Sequence, residues 1–365
     1  MTTTAPASLP AGFRRTTSGP TAKPTSTYSA LLKEVREAGL LQRRTGFYVL
    51  MFAVVTVLLA AAGTGFVLLG DSWFQLLIAA GLGIIFTQYA FLAHEAAHRQ
   101  VFASNATNDR AGRVLAAGVV GMSYDWWMSK HSRHHANPNA VGKDPDIAFD
   151  TISFLEEDAA KQRGFMRWFT QRQGWLFFPL LLAEGVNLHI TSFRSLLRRG
   201  EVEGRWTEIT LVVVRLGLYF GIVFAFLPLG MAFAFVGVQL GVFGVYMGAS
   251  FAPNHKGMAI VPEGSKLDFL RKQVLTSRNV TGGRWVTPFM GGLNFQIEHH
   301  LFPSMPRPHL AAARLMVKRH CEAQQIPYTE TTVLQSYAIV VRYLNRVGLA
   351  ARDPFDCPAA ATMRP

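Results

Sequence analysis

The chain of 365 residues is half apolar, carries only 16% charged residues, has a net charge of +13 and a mean hydropathy of +0.19. Soluble domains carry about 25% charged residues, so the balance points towards a membrane. The surplus Lys and Arg flank long apolar runs, which suits anionic lipid head groups and sets nucleic acid aside as a partner, while only two cysteines, Cys321 and Cys357, exclude a disulfide framework.

Residues 1–30 are rich in Thr, Ser, Pro and Ala and lack an apolar stretch behind a basic start. They read as a disordered tail and not as a secretory signal, and residues 1–45 as one basic N-terminal segment. Four apolar runs follow, at Phe47–Gly70, Trp73–Ala93, Ile209–Leu227 and Leu229–Ala252. Each is long enough to cross a bilayer, which needs about 20 residues. They pair into two tight hairpins. Arg215, inside the third run, is placed near its start, where a long side chain can reach the interface. The turns at Gly70–Ser72 and Pro228–Gly230 hold no Lys or Arg, whereas Arg43, Arg44, Arg99, Arg110, Arg113, Lys130 and Lys256 lie on the other side. The positive-inside rule therefore puts both termini in the cytoplasm. Phe165–Ile190, the repeat of Leu267, Leu270 and Val274, and Pro308–Cys321 read as helices on the membrane surface. No strand-like alternation stands out. The expected fold is an all-α membrane protein with four transmembrane helices in two hairpins and a cytoplasmic helical cap. Residues 46–320 form the membrane domain, and residues 321–365 a C-terminal helix and tail.

Eight of the eleven histidines fall into four places: His94 and His98; His131, His134 and His135; His255; His299 and His300. In HEAAH, HSRHH and QIEHH the polar side chains stand three or four residues apart, so on helices each group presents one face. The second run ends where His94 begins, and the fourth ends just before His255, at the same depth. Imidazole suits Zn, Cu, Fe and Ni, and a structural zinc needs only four ligands. Eight imidazoles are therefore enough for two ions of higher coordination number. Iron is preferred, since zinc has no redox chemistry. His189, His309 and His320 read as hydrogen-bonded bystanders. HEAAH also satisfies the HExxH pattern of zinc proteases, but such a protease leaves HSRHH and QIEHH unexplained. A metal transporter is disfavoured because the clusters lie outside the apolar runs. Glu95, Glu298, Asp144 and Asp146 are candidates to orient ligand imidazoles, as are Asn254 and Gln296.

The three boxes, with QIEHHLFPSMP around the last, resemble those of the membrane fatty acid desaturases, from the first apolar run to about His320. The resemblance implies two Fe ions held by His94, His98, His131, His134, His135, His255, His299 and His300. It also implies O2 as co-substrate and the removal of two hydrogens from adjacent carbons of an acyl chain; a lipid hydroxylase on the same centre is the alternative. An unactivated methylene has no acidic proton, so only a strong metal-bound oxidant will act on it. Position along the chain must then come from an apolar tunnel, with Tyr89, Phe91, Tyr124, Trp126 and Trp127 as candidates for its wall. The third box begins with Gln296 where much of the family has His, which leaves one iron with an open or water-filled position. Gln there resembles the branch that desaturates towards the carboxyl end, often fused to cytochrome b5. The forty-odd residues before the first run are too few for that fusion, so electrons are expected from a separate protein, a ferredoxin or an iron–sulfur flavoprotein reductase, attracted by the basic surface. Acyl-CoA and acyl-lipid both remain open as substrates, as do the ninth carbon and a position nearer the carboxyl end.

Overall fold

A computed structural model describes residues 27–351. In chain order the helices are α1 (Thr27–Glu37), α2 (Thr45–Leu69), α3 (Gln75–Ala97), α4 (Asn105–Arg113), a π-helix at Val114–Val120, and α5 (Tyr124–Ala136). Two short helices, α6 (Glu156–Ala160) and α7 (Gly164–Thr170), lead into the long α8 (Gln173–Leu197), α9 (Arg205–Phe226) and α10 (Leu229–His255). The last part holds α11 (Phe269–Leu275), α12 (Val286–Phe289), α13 (Gln296–Leu301), α14 (Arg307–Ala323) and α15 (Val333–Leu349). Strands β1 (Asn279–Thr281) and β2 (Glu330–Thr332) pair in parallel, with Asn279 opposite Glu330. Three-residue strands are too short to leave an alternating pattern in a sequence.

Among the described residues, five helices are long and apolar enough to cross a membrane: α2, α3, α8, α9 and α10. Four match the expected runs; the fifth, α8, covers most of the segment read as interfacial. Both ends of α8 are tied to segments outside the other long apolar helices. At one end Gln173 donates to Ser153 O and Leu344 O, and at the other Ser192 Oγ accepts from Ser123 N. In its middle, α8 crosses α10 so closely that a Cβ on Gly244 would collide with Gly185 N and Leu181 O. Small residues at such a crossing let two backbones meet.

Arg215 is half-buried. It turns inward, its guanidinium 4.5 Å from the centre of the Phe86 ring, and its Nε donates to Val119 O at 2.9 Å. His189 Nε2 lies 3.2 Å from the next carbonyl, Val120 O. These two side chains satisfy carbonyls at the end of the π-helix, which closes at Gly121 with φ 95°. In an apolar setting an unmet carbonyl is costly, which accounts for a cation inside an apolar run.

Three expectations for the extramembrane part are corrected. Thr27–Glu37, placed in the disordered tail, is a helix whose Leu31 and Val35 are fully buried; residues 1–26 of that tail lie outside the described residues. Leu270 and Val274 do not lie on a membrane surface. With Leu31, Val35, Ile297, Leu301, Leu310, Val317 and Cys321 they form one apolar core, because α1, α13 and α14 offer α11 a closer apolar face than lipid. The helix expected at Pro308–Cys321 belongs to the same core, as α14. Cys357 lies outside the described residues.

Candidate metal centre

The helical spacing in each box does what the pattern requires. His94 and His98 stand one turn apart at the end of α3, His131, His134 and His135 share α5, His255 ends α10, and His299 and His300 sit on α13. The ligand atoms of His94, His98, His131 and His299 all lie within 4.8 Å of one another, as do those of His134, His255 and His300. His135 bridges the two groups. Its ring centre is 4.4 Å from that of His131 and 4.7 Å from that of His299, and it stacks on His300 at 4.2 Å.

The Nε2 atoms of His94, His135, His299 and His300 are buried with no hydrogen-bond partner. An unmet buried polar atom costs about 1–3 kcal/mol, so four in one place need an explanation. A metal is the group that several imidazole lone pairs can satisfy at once, and the donor set fits iron: nitrogen only, with no thiolate among them. Burial pushes His98 down to about 3 and, with help from neighbouring imidazoles, holds His131, His135, His299 and His300 well below the usual histidine range. Neutral rings are the form that binds metal.

The outer nitrogens of the second group are fixed. Both Asp144 oxygens lie 3.0 Å from His134 Nδ1, and Asp144 also accepts from Asn139 N. His255 Nδ1 meets Thr276 O at 2.9 Å, and His300 Nδ1 meets Gln273 Oε1 at 2.8 Å. In each case a ring N–H is held outward and a lone pair inward. Asp146 lies 3.5 Å from His134 Nδ1 and 3.0 Å from Lys130 Nζ. Gln296 Nε2 is 2.9 Å from His255 Nε2, and its Oε1 accepts from Asn254 Nδ2 at 3.1 Å.

The two glutamates of the boxes face elsewhere. Glu95 receives two hydrogen bonds from Arg307, at 2.6 and 2.8 Å. Glu298 accepts from Asn279 Nδ2 at 2.8 Å and from the Tyr328 hydroxyl at 2.7 Å, and burial pushes it up to about 7. Among the described residues neither hydrogen bonds to an imidazole of the cluster, and a glutamate clamped by arginine is a poor general base for an HExxH protease. His189 and His309 hydrogen bond to backbone carbonyls; His320 lies on α14, outside both groups, and its Nε2 is buried without the expected hydrogen-bond partner. Sequence reasoning missed Gln273, Thr276 and Asn139, which come from segments without histidine.

Two cavities adjoin the centre. A narrow one of about 30 Å³ is lined by Phe91, His94, Val120, Tyr124, Trp127 and Phe251. A larger one of about 470 Å³ reaches His131, His134, His255 and Gln296 and shares Phe251. Its walls include Phe177 and Leu181, and Lys130, Lys256, Asp150 and Glu184 also border it. Tyr89 and Trp126 line neither. The Tyr89 hydroxyl pairs with Thr56 on α2, and the Trp126 backbone N–H is held by Ser123 at the start of α5.

Residues 71–332, which contain all eight clustered histidines, match the family model described as fatty acid desaturase. Among named relatives, a Delta(8)-fatty-acid desaturase of Helianthus annuus is 28% identical over 351 residues, covering 89% of this chain and 74% of the relative. An acyl-lipid (9-3)-desaturase of Borago officinalis is 26% identical, with 89% of this chain and 75% of the relative covered. A Delta 8-(E)-sphingolipid desaturase of Kluyveromyces lactis is 28% identical, with 93% and 61% covered. Apolar helices beside a buried imidazole cluster, and a family match spanning that cluster, lead to one conclusion: the chain belongs to the fatty acid desaturase family and is an integral membrane oxidoreductase that acts on acyl chains.

Proposed function

We propose that this desaturase holds two iron ions, one among His94, His98, His131 and His299 and one among His134, His255 and His300, with His135 between them. Four inward-facing, unpartnered Nε2 atoms carry this reading. The iron pair, when bound, supplies the oxidising power by which O2, two electrons and two protons take two hydrogens from adjacent methylenes, leaving a double bond and two waters. The protein's own part is to hold and to exclude. Asp144, Thr276 O and Gln273 keep three rings in the tautomer that binds metal. The acyl chain lies in the larger cavity, passes Phe251 and ends in the narrow apolar one, so that Trp127 and Phe91 fix which carbons stop beside the histidines. Apolar contacts have no other means of choosing among identical methylenes.

In this reading α2, α3, α9 and α10 cross the bilayer, and α8 lies along its cytoplasmic face, as the tethers at both its ends suggest. The termini and the metal centre then face the cytoplasm, in keeping with the basic residues of that side. Electrons arrive from a separate acidic carrier protein. Gln296 stands where a fourth ligand of the second group would, held by Asn254. Expression in a host without desaturases, followed by mass-spectrometric location of double bonds, tests the assignment. A new double bond at one position is expected; hydroxylated chains without it would replace desaturase by oxygenase.

A further inference from the structure

We propose that Gln273 governs one of the two metal positions selectively: it is the positioning residue for His300, and without it the second group loses its ion while the first keeps its own. This rests on the two-metal reading above. Gln273 is fully buried on α11, between the fourth apolar run and the third box. Its Nε2 donates to His135 O at 2.9 Å, and its Oε1 faces His300 Nδ1 at 2.8 Å.

The amide orientation and the ring tautomer follow by elimination. A backbone carbonyl only accepts, so the NH2 end must face His135 O. The oxygen end must then face His300, which obliges Nδ1 to donate and leaves the lone pair on Nε2. That Nε2 is buried and unpartnered. One side chain thus ties the second box to the third and aims an imidazole inward.

The first group has no such dependence. Among the described residues, no hydrogen bond holds the ring nitrogens of His94, His98, His131 or His299 except the one joining His98 to His131. Three of its four rings stand on long helices, His94 within the 23 residues of α3, His98 at its end and His131 on α5, and His299 alone shares the short α13 with His300. His300 sits on a six-residue helix, whose short frame needs an outside partner to fix the ring. Removing a partner of this kind weakens metal binding about 10- to 100-fold, and here the loss falls on one position.

The test uses the full-length protein purified in detergent, with iron counted per chain and Mössbauer spectra of isotopically enriched iron. Wild type should hold two irons and Gln273→Leu about one, with one spectral component lost. Gln273→Glu, protonated in this buried place, keeps an acceptor for His300 and an O–H donor for His135 O, so it should retain both ions and change the quadrupole splitting of one component only; this arm stands if the Leu variant fails to fold. Two irons with an unaltered spectrum in Gln273→Leu, joint loss of both ions, or equal changes in both components of Gln273→Glu would overturn the proposal. A wild type without iron would instead sink the metal reading itself.

Discussion

Replacing Glu95 by Gln leaves the Arg307 guanidinium buried against a neutral amide. The two side chains are 3% and 4% exposed and meet through two hydrogen bonds of 2.6 and 2.8 Å. Breaking a buried pair in this way costs about 3–5 kcal/mol, whereas replacing both partners by apolar groups is often close to neutral. The pair joins α3, between His94 and His98, to the first turn of α14, so the penalty is paid where the membrane helices meet the cap. At about 1.4 kcal/mol per factor of ten, the half-life of Glu95→Gln in detergent at fixed temperature should fall by about two to three and a half orders of magnitude if the whole cost enters the unfolding rate. The double variant Glu95→Leu, Arg307→Met should recover most of that loss. A single variant as long-lived as wild type, or a double variant no better than the singles, refutes the argument. A general-base role for Glu95 would instead give an inactive protein of unchanged stability.

His134→Ala and His300→Ala should lose desaturation and metal while remaining in the membrane fraction; product from either variant excludes that ring as a ligand. Gly244→Val, whose side chain must overlap Gly185 N and Leu181 O, should cost at least about 1–3 kcal/mol and lower the apparent Tm; an unchanged Tm would mean that α8 and α10 do not meet there. Arg215→Met strands Val119 O, an effect of about 1–3 kcal/mol, and should shorten thermal inactivation times, whereas Arg215→Lys should recover part of the loss. Because burial lowers the ring pKa of His98 to about 3, its contribution is complete above the unfolded value of about 6.5 and is lost as pH falls through the folded one. Metal release followed by atomic spectroscopy should therefore rise on acidification; full retention at about pH 3 would contradict a neutral-imidazole centre.

The histidine cluster was legible because helix geometry turns spacing into direction: residues three and four apart in HEAAH, HSRHH and QIEHH share a face whatever the rest of the chain does. The long apolar runs were legible for the same local reason. What stayed hidden depends on distant partners. Glu95 finds Arg307 across 212 positions, and Gln273 looks like any polar residue of a short helix until His300 is placed beside it. Arg215 reads as an interfacial residue because the carbonyl it serves belongs to a π-helix 96 positions earlier. In α8, Glu184, Asn187 and His189 dilute an otherwise apolar run, so composition alone reads it as a surface helix although it is long and apolar enough to span. The helix α1 was lost among the Ser, Thr and Pro that precede it, although Leu31 and Val35 are four apart.

That small helix has a bearing on how the enzyme can be handled. Tyr28 donates to Leu301 O, at the end of the helix that bears His299 and His300, and Leu31 and Val35 seal the apolar side of the same roof. Trimming the chain back to the start of the first span would strip shielding from the third box, so such a truncate should shed iron while still embedded in lipid. Conversely, any module grafted ahead of Thr27 would be leashed to that roof and meet it at millimolar effective concentration, which makes this end the natural point for attaching an artificial electron supply.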